Sequence, residues 1–303
     1  MGIINTSSFA KLIWPGLNAI YGRSYAEWPV EYTKLFDGNK SKKAYEEDLG
    51  TTGLGYAQVK SEGGSVSYDE ESQAFLTRYS HVVYALGFII TREIYEDDQY
   101  GVVGSRRAKG LSFSMRQTKE VVGANVYNRA FNASYTGGDS VTMCNSAHPN
   151  FAGGTQSNIL ATAADLSEAS LEQAVIDIAK WTNDRGLKIA VQPKSLIIPV
   201  DLQFEAERIL MSPYRVGTAD NDINALKEMG KFPGGIVVNH YLTDTDAWFI
   251  RTNAMDSLKY FSRRPMQFGI DNDFDTENAK FKASERYSFG WSDWRGIYGT
   301  PGA

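Results

Sequence analysis

Cysteine is almost missing from this chain: Cys144 is the only one in 303 residues. One thiol closes no intrachain disulfide, which excludes a stapled secreted scaffold and fits a reducing compartment. Histidine is scarce as well, with three, so bases and metal ligands are few. Nine prolines stand against 28 glycines, a balance that points to turns and β structure rather than a low-complexity tail. No stretch approaches the ~20 apolar residues that span a bilayer. The longest, from His81 to Ile90, is broken by Tyr84 and Gly87, and the N-terminus carries no signal-peptide pattern. Basic residues are not in excess either: 31 Lys and Arg meet 36 Asp and Glu, for a net charge of -5. That argues against binding nucleic acid through charge, and reads as soluble and mildly acidic.

What is present is apolar and aromatic. Hydrophobic residues make up 42% and aromatic residues 13% of the sequence, enough for one large domain or two ordinary ones. A chain this long buries about three quarters of its unfolded surface and needs no metal or disulfide to fold.

Residues 1 to about 45 read as an extended arm, because Pro15, Gly16, Gly22 and Pro29 interrupt every periodic stretch. Trp14, Trp28 and their apolar neighbours must nevertheless cover something, in this chain or another. From about 48 to 91 the pattern is β, with a polar turn over Lys60–Ser65. The return strand alternates from Phe75 to Val83 and then becomes continuously apolar, which predicts a hairpin exposed at its tip and buried at its base. Leu111, Met115, Val122 and Val126 mark a helix over about 105–130, some 39 Å long at about 1.5 Å per residue. A second helix is predicted over 168–185, capped by Ser167 and closed by Gly186. Strands at 189–191, 196–200, 235–238 and 247–250 alternate with a helix near 202–211, and the tail from 258 is β-rich. The fold class is α+β.

Motifs of chemistry fail on inspection. Gly53-Leu54-Gly55 lacks the third glycine of a dinucleotide loop, and Gly230-Lys231 lacks the glycine a phosphate loop needs at 225. Gly110-Leu111-Ser112-Phe113-Ser114 ends in serine where a nucleophile elbow has glycine. Cys144 and His148 have no second ligand pair for zinc. Asp271, Asp273 and Asp275 imitate a calcium loop, but Thr276 and Lys282 occupy its glycine and glutamate positions, so they read as an acidic turn. The sequence offers no catalytic, cofactor or metal constellation, which points to a structural or binding protein.

Several ordered segments resemble the major capsid proteins of tailed bacteriophages, in particular the Mu-like major head subunit family. They include Ile90-Thr91-Arg92-Glu93, Ser146-Ala147-His148-Pro149 with Gly153-Gly154, and Ala163 to Ala169. Others are Arg215 to Ala219, Asn221 to Leu226, Val238 to Leu242, and Glu285 to Trp291 with Arg295 to Gly299. The resemblance spans about 75 to 300. It implies the Hong Kong ninety-seven type fold: an N-terminal arm (1–47), an E-loop hairpin (48–88), a P-domain with a long spine helix (89–150 and 251–303) and an A-domain (151–250). It also implies self-assembly into pentamers and hexamers of an icosahedral shell around double-stranded DNA, which the protein contacts without sequence readout. Portal and scaffolding proteins, and in some heads decoration proteins, are the implied partners; assembly would take place in the bacterial cytoplasm. Met1 leads directly into the arm, so scaffolding is expected on a separate chain. The residues expected between subunits are Trp14, Trp28, Tyr45, Tyr56, Lys60, Arg106, Arg107 and Arg116. An encapsulin-like compartment shares the fold, and a soluble enzyme with an unrecognised site is the more distant alternative.

Overall fold

Helix-forming residues between Tyr100 and Asn128 build the longest helix, 29 residues, about 43 Å at 1.5 Å per residue. The computed structural model describes residues 18–91, 93, 94, 100–215, 222–273, 276 and 278–303. Trp14 and Asp275 lie outside the described residues.

Along the chain, helix α1 (18–27) and the short helix α2 (Tyr32–Leu35) precede strands β1 (Asp37–Lys40), β2 (Tyr45–Thr51), β3 (Gln73–Ser80) and β4 (Val82–Ile90). The long helix is α3; β5 (His148–Pro149), β6 (Thr155–Gln156) and helix α4 (Glu168–Lys180) follow. Then come β7 (Pro193–Ile198), α5 (Gln203–Met211), α6 (Ala225–Glu228), β8 (Ile236–Val238) and β9 (Trp248–Thr252). The chain closes through β10 (Leu258–Asn272), β11 (Ala279–Trp291) and β12 (Ile297–Thr300).

Two four-stranded sheets organise these elements, in the orders β1-β10-β11-β4 and β12-β9-β7-β8. In the first, the long β10–β11 ribbon is antiparallel and β1 joins β10 in parallel. Helix α3 packs on this sheet through Ala108, Leu111 and Met115, which meet Phe268, Phe281 and Ala283. In the second, Leu196, Ile197, Ile198, Trp248, Phe249 and Ile250 form a fully apolar interior under α4. Ser167 caps α4 as predicted, accepting from the Ser170 N–H. The helix stops earlier than predicted, at Lys180. Trp181 leaves the helical path to pack against Trp294, and its indole N–H donates to the Ser157 carbonyl at 2.9 Å. Gly186 serves a later turn at φ 82 instead.

Four further expectations change. The arm is not irregular after residue 17: α1 and α2 dock on α3, with Tyr21 and Leu35 buried. Gly22 disguised the periodicity, and Pro29 ends α1 by disfavouring helical backbone at Trp28. The predicted return strand is divided at His81, its first half pairing with β2 and its second with β11. The apolar half is not a buried base either. As a sheet edge, β4 leaves Val82, Val83, Leu86 and Ile89 about half exposed. Finally, β12 crosses into the second sheet, so the boundary drawn at 251–303 joins residues of two sheets. The polar turn forms where predicted, with the Gly64 N–H donating to the Ser61 carbonyl at 3.0 Å and Gly63 at φ 77.

Candidate inter-subunit surface

The hairpin β2–β3 carries a loop, 52–72, most of whose side chains turn outward. Leu54, Tyr56, Val59, Val66 and Tyr68 are exposed, and Lys60 with them. Exposed apolar side chains in such density mark a contact surface rather than ordinary surface scatter. The loop is also acidic, with Glu62, Asp69, Glu70 and Glu71 against Lys60.

A basic face lies on the first sheet. Period-two alternation along β11 buries Phe281, Ala283, Glu285 and Tyr287 and turns Lys280, Lys282, Ser284 and Arg286 to the other side. Across the sheet, Arg264 is paired with Arg286 on β10, and Val83 and Ile89 flank this row on β4. Arg263 and Arg286 donate to the carbonyls of Lys43 and Ala44, which brings Lys42 and Lys43 to the same end. Lys280 is held by Asp273 at 2.6 Å, whereas Lys282 is exposed with no ion-pair partner among the described residues. The mildly acidic total hides this local excess. Its signal in the sequence is the alternation of Lys280, Lys282, Ser284 and Arg286 with Phe281, Ala283, Glu285 and Tyr287.

A third exposed region closes the second sheet's far end. Phe204, Met211, Tyr214, Ile223 and Met229 are all exposed there, and Tyr214 and Ile223 are joined by a β-bridge.

The other residues expected from sequence divide in two groups. Trp28 packs at 4.6 Å on Phe113 of α3, and both rings remain over a third exposed. Tyr45 lies under the Arg78 guanidinium at 4.4 Å, and Arg78 is in turn bound to Glu47. Arg106 is exposed, and Arg107, also exposed, donates to the Ile89 carbonyl at 2.8 Å. Arg116 is different. It is only 6% exposed, lies 3.9 Å over the Tyr25 ring and donates to the Tyr25 carbonyl. Its charge serves the docking of α1 within the chain, and it drops out of the contact set.

Buried polar groups tie these surfaces to the body. His81, at the break between β3 and β4, is buried between the hydroxyls of Ser288 (2.9 Å) and Ser41 (3.0 Å). Burial, and then the nearby Arg286, hold its imidazole below the ordinary value. The native ring is therefore neutral, and the unfolded chain takes up the proton first as pH falls below about 6.5. Stability is expected to decline from there downward, until the folded ring itself is protonated. Urea titrations between about pH 7 and pH 5 check this: His81→Gln should flatten that decline, and parallel profiles for parent and variant would contradict it.

Cys144 is buried, and burial pushes its thiol far up from the ordinary value. His148 is wholly buried, stacked on Trp294 and bonded to Asp139 (2.6 Å) and Asn158 (3.1 Å). Among the described residues, no group of three or more His, Cys, Asp or Glu is arranged to hold a metal ion. Among those residues, no helix is long and apolar enough to cross a membrane.

The body thus consists of two sheets and one long helix and carries exposed apolar appendages. The chain belongs to the phage capsid protein family, which it matches over residues 76–300. It is a major capsid protein, the self-assembling structural subunit of a tailed-phage head shell and thus of the virion, with the Hong Kong ninety-seven type α+β fold. Solved structures share that fold at low sequence identity. A Mycobacterium phage Che8 chain is 14% identical with a TM-score of 0.52, covering 90% of this chain and 92% of that one. A Microbacterium phage Oxtober96 chain is 11% identical with a TM-score of 0.51, covering 90% and 92%. A virus-like particle from Pyrococcus furiosus is 13% identical with a TM-score of 0.50, covering 94% and 97%. No curated protein sequence matches the chain.

Proposed function

We propose that neighbouring subunits lock together by laying the hairpin loop of one copy across the open face of the first sheet of the next. The observation that carries this reading is complementarity: the loop offers Glu62, Glu70 and Glu71 beside exposed Tyr56 and Tyr68, and the face offers Lys280, Lys282 and Arg286 beside exposed Val83 and Ile89. A DNA backbone would match the cations but gain nothing from the valine and isoleucine. Trp28, Tyr45, Arg106 and Arg107 add contacts around the rim. The chain divides into an arm, an E-loop over 45–80, a P-domain built on the first sheet and α3, and an A-domain of about 151–250 completed by β12. A-domains meet at the local axes of pentamers and hexamers through the exposed apolar end around Phe204 and Tyr214. Assembly takes place in the bacterial cytoplasm with portal, scaffolding and decoration proteins as partners, and packaged DNA touches the inner wall through its backbone only. A compartment shell is the competing reading, raised by the likeness to the Pyrococcus particle; the phage capsid family match favours the head.

Deleting Ser61–Ser65 tests the lapping role. The expected product is a folded, soluble subunit with its circular dichroism unchanged and its yield of shells, counted by electron microscopy, greatly reduced. An undiminished shell yield would refute the contact.

A further inference from the structure

The roots of the hairpin loop are held by a side chain that lies far from it in sequence. Arg185 sits in the turn that follows α4, where the Asn183 side-chain oxygen accepts from the N–H groups of Arg185 (3.0 Å) and Leu187 (2.8 Å). From there its guanidinium donates to the carbonyls of Gly53 (3.3 Å) and Glu70 (3.1 Å), and to the Asp69 carboxylate (2.9 Å). Asp69 in turn accepts the Gly55 N–H at 2.7 Å. Gly55 permits this closeness, because a Cβ there would stand 3.2 Å from the Asp69 carboxylate and 3.6 Å from the guanidinium. One planar fork thus gathers both ends of the loop, a geometry that a lysine ammonium does not reproduce.

The clasp grips the roots and leaves the tip alone. Tyr56, Val59 and Tyr68 lie between the gripped residues and are all exposed. A loop whose roots are fixed before contact loses less conformational freedom on binding, so more of its contact energy appears as association. We infer that Arg185 is a positioning residue for shell assembly, holding the hairpin loop at the angle from which it meets the next subunit. This rests on the reading of the loop as a contact element. The pair itself is partly exposed, at 29% for Arg185 and 41% for Asp69, and exposed pairs add little to fold stability. Its main effect is therefore on the loop's orientation.

The test uses the full chain with Arg185→Ala, and Asp69→Ala as a variant that leaves the 183–187 turn untouched. Unassembled subunits of both should melt within about 2 °C of the parent. Hydrogen exchange at the amides of Thr52, Gly55 and Ser72 should quicken at least about tenfold, with the tip amides unchanged. The protein concentration needed for shells should rise about tenfold, with Arg185→Lys in between. Unchanged exchange at the roots would overturn the clasp. Faster exchange with undiminished assembly would overturn the positioning role. The Ser61–Ser65 deletion separates the two levels: if it blocks assembly while Arg185→Ala does not, only the Arg185 inference falls.

Discussion

Exchange of Lys119 for methionine is expected to remove about 3–5 kcal/mol of unfolding free energy. Lys119 projects from the buried face of α3, and its ammonium lies 3.0 Å from the Glu285 carboxylate of β11. The side chains are 9% and 1% exposed, so water cannot replace either partner. Tyr32, Tyr260 and Tyr287 place ring faces 5.1 to 5.3 Å from the ammonium, close enough for each to attract it. The second Glu285 oxygen accepts the Tyr25 hydroxyl at 2.6 Å, which extends the network to α1. Burial, followed by the charge of Glu285, pushes the Tyr25 phenol far up, so it stays a donor. Lys119→Met leaves the Glu285 carboxyl group in an apolar setting without its cation, with the Tyr25 phenol as its remaining partner. The double variant Lys119→Met/Glu285→Leu should regain most of the loss, since an apolar pair of similar volume needs no desolvation. Urea unfolding of unassembled subunits measures both. A single-variant loss below about 1 kcal/mol, or a double variant no better than the single, would contradict the account.

The second large effect falls on assembly and leaves the fold intact. Lys280→Glu/Lys282→Glu reverses the charge of the proposed receiving face at two exposed positions. Lys280 gives up its ion pair with Asp273, but exposed pairs contribute about 0–1 kcal/mol, so melting should barely change. Between subunits the outcome differs. Like charges brought together at a contact cost several kcal/mol, and about 1.4 kcal/mol already means tenfold in an equilibrium constant. Shell yield at about 0.1 M salt is expected to drop at least tenfold by sedimentation. Glu70→Lys/Glu71→Lys on the loop should restore it in the charge-reversed background and weaken assembly in the parent. Parent and charge-reversed proteins with equal yields would show that the loop and this face do not meet.

Much of the framework was legible because its signals are local. Ser167 with a good helix pattern behind it specifies a cap whatever the rest of the chain does, and Ser61 to Gly64 closes its turn through a single backbone hydrogen bond. The long helix was readable despite its glycines, and Gly123 in it faces the Phe289 ring and Tyr32, where an added Cβ would make ordinary contact at 3.4 Å. Helix α1 was not legible, because a mid-helix glycine and a flanking proline mimic irregular chain. Nor was the early end of α4, which depends on an indole finding a partner more than a hundred residues away.

The sequence by itself determined much of the succession of elements after the arm, the lack of disulfide chemistry and, through ordered segments from about 75 to 300, the capsid family. Only the tertiary structure decided which side of each element faces water. Arg116 read as a spine-helix cation available to a neighbouring subunit, yet the sheet and α1 enclose it, and Lys119 with it. The apolar run of β4 read as core, yet it became a sheet edge because β11 covers one side of it and no described strand covers the other. Arg185 carried no signal at all until folding brought Gly53, Asp69 and Glu70 within its reach. Periodicity and capping are properties of neighbouring residues. Burial, pairing and charge partners belong to residues distant in the chain, and chain folding alone sets them.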